Sequence, residues 1–213
     1  MNTPIQIPTD VWVDASWDEY LSAIEHPANE KAKGYYYDRK MRIEMVPLGH
    51  DHAADNTIAS FAVTAFCGLK GIAAKGLTNC TYRKQGINEA QPDASYYLGQ
   101  NADVIPWGTT IINLDQYPSP DLVIEIANSS LPDDQGAKRL LYEDLRVKEY
   151  WIFDVKNIRV QAFAIENQGS RRITESLVLS GLKIPLLQEA LQRTRQQNQS
   201  QVVAWLLSEF SRA

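Results

Sequence analysis

Apolar positions along this chain recur with two periods, and each change of period marks an element. Ala54, Ile58, Phe61, Ala62, Ala65, Phe66 and Leu69 repeat every three or four residues through "HDHAADNTIASFAVTAFCGLKG", which predicts a helix ended by Gly71. "ASWDEYLSAIEHP" predicts a shorter helix, with Ser16 as N-cap, Glu19 completing a capping box and Pro27 stopping the run. "GYYYDRKMRIEMVP" alternates instead. Met41, Ile43 and Met45 face one way and Arg42, Glu44 and Val46 the other, a β-hairpin with "DRK" as its turn. "GLTNCTYRK" and "PDASYYLG" read as strands, and residues 99–120 read as a loop. Asp121 to Ala127 predicts a strand buried on both faces, because Leu122, Val123, Ile124 and Ile126 leave it no polar side.

The second half continues in the same alternation of elements. "SSLPDDQGAKRLLYEDLRVK" predicts a helix with Asp133 and Asp134 at its N-terminus and Leu140, Leu141, Leu145 and Val147 on its apolar face. "EYWIFDV" and "IRVQAFAI" predict a hairpin around "KN", and "RRITESLVLS" a further strand. From "GLKIPLLQEALQ" onward the pattern is helical, with a polar break at 196–201 and apolar Val202, Val203, Leu206 and Phe210 in the last piece. The sum is an α/β (α+β) fold: a mixed sheet, a long helix before it, a helix crossing within it and a helical C-terminal tail. Segments 1–30, 31–180 and 181–213 are expected as an N-terminal helical piece, the core and a C-terminal extension.

Composition narrows the function classes. A chain of 213 residues suits one domain with a modest appendage, and 44% apolar with 22% charged residues is ordinary for a soluble protein. A net charge of −5 supplies no overall basic field, so nucleic acid would have to meet a local patch. Cys67, among apolar neighbours, is expected as a core thiol. The N-terminus lacks a basic segment followed by an apolar one, and no apolar run approaches the roughly 20 residues of a membrane span. A cytoplasmic location without membrane partners is expected.

The acids carry the chemistry. Glu125 interrupts an apolar strand, and an ionised carboxylate buried alone costs several kcal/mol. It needs a cation such as a salt-bridging helix base, a metal, or an edge position. Asp93, at the start of another strand, offers the second carboxylate of a hard-oxygen site for Mg²⁺ or Mn²⁺. Lys138, a turn into the following helix, either reaches back to steady charge on a phosphate or stays solvated. His52 opens the long helix as a base, a phosphate ligand or a capping group. Tyr142, four residues after Lys138, shares its helix face and either orients the lysine or packs. Asp121 lies about 13 Å from Glu125 by strand rise and reads as a turn cap. Trp151 and Phe153 read as core, and Arg139, Arg171 and Arg172 as a solvated face or a phosphate contact.

"PDASYY", then "SPDLVIEIANSSLPDDQGAKRLLYEDLRVKEYWIFDV", together with the upstream "YYYDRKMRIEM" and "HDHAADNTIA", resembles the bacterial Uma-two family over residues 35–165. That resemblance implies a restriction-endonuclease-like fold of the PD-(D/E)XK type and a Mg²⁺-dependent nuclease that cuts DNA, often as a homodimer. By position it implies Asp93 and Glu125 as the two metal-binding acids, Glu44 as an upstream acid on the metal, and Lys138 and His52 as further catalytic groups. One departure stands out. The lysine of the wider superfamily falls two residues after the second acid, where this chain has Ala127, so Lys138 would act from the helix. Two other readings remain open: a catalytically silent interaction protein that uses the apolar stripe of its tail, and a hydrolase of a small phosphorylated molecule.

Overall fold

The strands gather into two six-stranded sheets in this computed structural model, which describes residues 8–45, 49–167 and 169–212. The first sheet runs, in spatial order, β12 (Gly169–Ile173), β11 (Arg159–Glu166), β10 (Glu149–Asp154), β9 (Leu122–Ala127), β7 (Ala94–Leu98) and β4 (Ala74–Thr78). It is mixed. β9 and β10 are parallel, with α3 (Leu131–Gln135) and α4 (Ala137–Asp144) in the crossover, and the remaining pairs are antiparallel. The second sheet, in order β1 (Val13–Asp14), β3 (Lys40–Glu44), β2 (Lys33–Tyr37), β6 (Asn88–Ala90), β5 (Thr81–Lys84) and β8 (Ile111–Asn113), lies outside what the apolar pattern predicted as a separate layer.

Helices cover both faces of the first sheet. On one, α2 (His50–Lys70), α5 (Ile184–Thr194) and α6 (Gln199–Arg212) bury Ile58, Phe66, Leu187, Leu206 and Phe210 against Leu122, Ile124, Trp151 and Phe153. Phe66 and Phe210 meet edge to face at 5.2 Å. The apolar stripe of the tail is therefore covered by the chain's own core. On the other face α4 packs Leu141 and Tyr142 on Val123, Tyr150 and Ile152. The helix α1 (Trp17–Ile24), capped by the Ser16–Glu19 box, covers the second sheet through Tyr20 and Ala23 against Tyr36, Met41 and Ile43. Among the described residues no helix is long and apolar enough to cross a membrane.

Turn chemistry fixes the register of the β2–β3 hairpin. Asp38 and Arg39 both take positive φ, 48° and 58°, so a two-residue turn pairs Tyr37 with Lys40 and puts Lys33 opposite Glu44. Gly34 is required here: a Cβ would collide with Tyr20 and Ile24 of α1, which lies directly over β2.

Several expectations shift. "GLTNCTYRK" is two strands in different sheets, because Asn79 turns left-handed at φ 52° between β4 and β5. The loop over 99–120 contains β8, paired parallel to β5. Gly136 splits the helix after Ser130 into α3 and α4 with a non-helical backbone at φ −107°, ψ −109°. Leu69, Leu140 and Met45 are exposed, because each sits at the rim of an apolar face whose centre is held by Phe66, Leu141 or Ile43. The strand in "RRITESLVLS" ends at Ile173, and residues 176–179 instead fold around Glu149, which accepts from Trp151 Nε1 at 2.9 Å, from Ser176 Oγ at 2.9 Å and from the Val178 amide at 2.9 Å. Val46, placed on the hairpin by the alternation, lies outside the described residues.

Candidate metal centre

The chain passes between the two sheets twice at one seam. β4 leads into β5 through Asn79, and β6 leads into β7 through Asp93. The Asn79 amide donates to the Asp93 carbonyl at 3.3 Å and ties the two crossings together. The Asp93 side chain starts where the β7–β9 ladder stops. Ala94 pairs with Ile124, and the next free donor of β9, the Ile126 amide, goes to Asp93 Oδ2 at 2.8 Å. His52 Nε2, from the first turn of α2, lies 3.2 Å from the same oxygen, and Lys33 Nζ from β2 is paired to Oδ1. Burial pushes the Asp93 carboxyl up, but the His52 hydrogen bond and the Lys33 charge outweigh it and hold the group well below the usual carboxylate range. An ionised carboxylate only accepts, so His52 Nε2 carries the proton between them, and Nδ1 is buried with no partner among the described residues.

Strand alternation turns Glu125 the other way, onto the face of Val123 and Ala127 beneath α4. Tyr142 donates to its Oε1 at 2.7 Å, and the Tyr35 hydroxyl, 3.1 Å from the same atom, shares its one proton with the Gln91 carbonyl at 2.8 Å. No described residue donates to Oε2, and Glu125 lines a cavity of about 260 Å³ together with Lys33, Glu44, His52, Asp93 and Lys138. Burial raises the Glu125 carboxyl most. Lys138 and Lys33 pull it down, Asp93 and Asp134 push it up, and it ends at about 8.

Lys138 is buried among acids. Its Nζ lies 2.9 Å from Glu44 Oε1, 3.1 Å from Asp134 Oδ1 and 3.9 Å from Glu125 Oε1, and 4.2 Å from the centre of the Tyr35 ring. Burial disfavours its charge, yet Glu125, Asp134 and Glu44 raise its pKa well above the ordinary lysine value. Glu44 Oε1 also accepts from Arg42 Nε at 2.8 Å, and Arg42 reaches Asp133 at 3.2 Å.

Of the residues singled out by sequence, Asp93, Glu125, Lys138, Glu44 and His52 all line this one cavity. Asp121 holds the turn at 99–101, accepting from the Leu98 amide at 2.7 Å and from Asn101, with Lys148 at 2.7 Å. Tyr142 touches Glu125 rather than the lysine. Four contributors escaped the sequence reading: Lys33, Tyr35, Arg42 and Asp134. The signal was present for two pairs. Lys33 and Tyr35, like Arg42 and Glu44, are two residues apart on a strand and so share a face.

A divalent ion fits this chemistry. Asp93 and Glu125 are hard oxygen donors, Glu125 Oε2 is free of hydrogen bonds from described residues, and a Mg²⁺ ion characteristically takes one or two carboxylates and keeps waters for its other positions. Among the described residues no group of three or more His, Cys, Asp or Glu side chains comes together in metal-ligating geometry, and Glu44 in particular is engaged by Arg42 and Lys138.

Known proteins bear on this arrangement. No curated protein matches the chain. The crystal structure of a protein described as a putative nuclease from Anabaena variabilis superposes with a TM-score of 0.57 at 19% identity, covering 83% of this chain and 98% of that one, so the two share a fold. The sequence profile of a family described as "Putative restriction endonuclease" matches residues 17–199, a span that holds every described strand except β1 and every residue lining the cavity except Asp10. With the seam acids, the crossover lysine and the mixed sheet all inside that match, the chain belongs to the Uma-two family of restriction-endonuclease-like proteins.

Proposed function

We propose that the protein hydrolyses phosphodiester bonds in DNA with Mg²⁺ or Mn²⁺ held by Asp93 and Glu125. The observation that carries this reading is that those two carboxylates line one cavity, with one oxygen of Glu125 receiving no hydrogen bond from a described residue. When bound, the cation would supply Lewis-acid activation of water and neutralise charge on the phosphate. The chain's own groups prepare the site. The Ile126 amide and His52 Nε2 fix Asp93 Oδ2, and the Tyr35 and Tyr142 hydroxyls fix Glu125 Oε1, so the second oxygen of Glu125 presents without a rotamer search. Lys138 and Arg42 hold Glu44 and Asp134 around the centre, and because every cation of the cavity is paired to an acid, a phosphate would be received chiefly by the bound cation.

One such centre per chain cuts one strand. Cleavage of both strands of a duplex then calls for two copies, and we propose a homodimer for that reason. Nicking of supercoiled plasmid in Mn²⁺, abolished by EDTA and by Glu125→Ala or Asp93→Ala, is the expected result. A Glu125→Ala protein that cuts as fast as wild type overturns the reading. Sedimentation with and without duplex DNA tests the dimer.

A further inference from the structure

The two lysines of the cavity differ in how their ammonium groups are used. Lys138 is enclosed by Glu44, Asp134, Glu125 and the Tyr35 ring, and almost none of it reaches solvent. Its ammonium is ion-paired with Glu44 at 2.9 Å and with Asp134 at 3.1 Å. Moving it onto a substrate would strip buried carboxylates of their counter-ion, which costs several kcal/mol. Lys33 has one described anionic partner, Asp93 Oδ1, and lines the same cavity from the head of β2. An ammonium carries three donors, so Lys33 keeps two in hand. Its one anionic partner is also the carboxylate proposed to bind the cation.

We propose that Lys33, not Lys138, is the catalytic lysine that contacts the scissile phosphate, and that its ammonium serves as the counter-ion of Asp93 until a divalent cation takes that carboxylate. This rests on the metal-dependent reading of the site. Asp93 is buried beside two groups that favour its charge, and it needs a cation in every state. When the carboxylate is shared with a divalent ion, Lys33 is released by charge balance alone. The nearest anion within reach of its flexible stem is then the phosphate entering the cavity. Lys33 would take the place that the superfamily gives to the position here occupied by Ala127, but from a neighbouring strand of the other sheet. Lys138 keeps the acid set together throughout and makes no contact with substrate.

The two roles of Lys33 move two readouts in opposite directions. In Lys33→Met the competing ammonium is gone, so Mn²⁺ should bind at least about tenfold tighter, read as free Mn²⁺ by electron paramagnetic resonance. Single-turnover nicking of plasmid at saturating Mn²⁺ should fall about 100-fold or more. Lys33→Gln, which keeps a hydrogen-bond donor for Asp93, guards against a folding defect and should show the same opposed changes, with thermal melts confirming the fold. Mn²⁺ affinity that is unchanged or weaker in both variants, or nicking retained in either, overturns the proposal while leaving the metal site intact. Failure of the wild type to take up Mn²⁺ at all overturns the functional reading, and this proposal with it.

Discussion

Tyr142 donates its hydroxyl to Glu125 Oε1 at 2.7 Å from the position one helical turn beyond Lys138, so one face of α4 gives the same carboxyl both a neutral donor and a nearby cation. Neither keeps Glu125 acidic. Burial, with Asp93 and Asp134 close by, still leaves it at about 8. The folded value lies above the ordinary 4.5, so the stability this group contributes is complete below about pH 4.5 and is lost as the pH rises through about 8. Metal-free wild type should therefore weaken between pH 5 and 8, as measured at those two values. Glu125→Gln keeps the acceptor for both tyrosines without ionising, and should reduce that loss by about 1–3 kcal/mol. Urea titrations in EDTA at both pH values measure it, and equal pH slopes for the two proteins would show that Glu125 is not the group responsible.

The same proton should compete with metal. A carboxyl near 8 has to ionise before it can ligate, so Mn²⁺ affinity should rise about tenfold per pH unit between pH 6 and 8 and level off above. Calorimetry in buffers of different ionisation enthalpy should detect close to one proton released per ion at pH 7. Affinity flat across this range would mean that Glu125 is not a ligand.

Lys138 is the counter-ion of three acids, and its removal should be felt in proportion to how many of them are charged. At pH 8, Lys138→Met leaves Glu44, Glu125 and Asp134 without their common cation and should cost about 3–5 kcal/mol. The lysine itself, raised above its ordinary value, stays charged over this whole range, so any pH dependence of the loss comes from the acids. Near pH 5 the raised groups, Glu125 and Asp134, take up protons more readily, and the penalty should shrink. Chemical denaturation of both proteins at the two pH values reads the difference. A loss as large at pH 5 as at pH 8 would point to packing of the lysine stem instead.

Much of this was legible in the sequence, where a period or a cap spoke for itself. The 3.6-residue repeat around Ile58 and Phe66, the Ser16–Glu19 box and the two-faced apolarity of Leu122–Ala127 each fixed an element through local chemistry. Glu125 was conspicuous because a carboxylate among Leu122, Val123, Ile124 and Ile126 has to be neutralised by something. What stayed hidden was non-local. Nothing in "KAKGYYY" says that Lys33 will meet Asp93 sixty positions later, since that contact exists only because the chain changes sheets at Asn79 and again at Asp93. The second sheet, beyond its β2–β3 hairpin and β5, was illegible for the same reason. β6 and β8 are three residues long each, too short for alternation to register, and they are strands only because β5 lies between them.

The C-terminal helices are held by one such distant contact, which can be tested directly. Arg195, at the C-cap of α5, forks onto Asp55 of α2 with Nη1–Oδ1 2.7 Å and Nη2–Oδ2 2.6 Å, and Nη2 also reaches the Val155 carbonyl at 3.3 Å. Asp55 is wholly buried, so the bidentate pair is what makes its charge tolerable there. Arg195→Leu should cost about 3–5 kcal/mol, because it strands a carboxylate in the interior. Asp55→Asn in the same background should recover a large part of that loss, since an amide is far cheaper to bury than a carboxylate. A double-mutant cycle by urea denaturation gives the coupling directly, and a coupling under about 0.5 kcal/mol would mean that the tail is held by Leu206 and Phe210 alone. Two variants whose losses simply add would place this ion pair with the surface bridges that contribute nothing measurable.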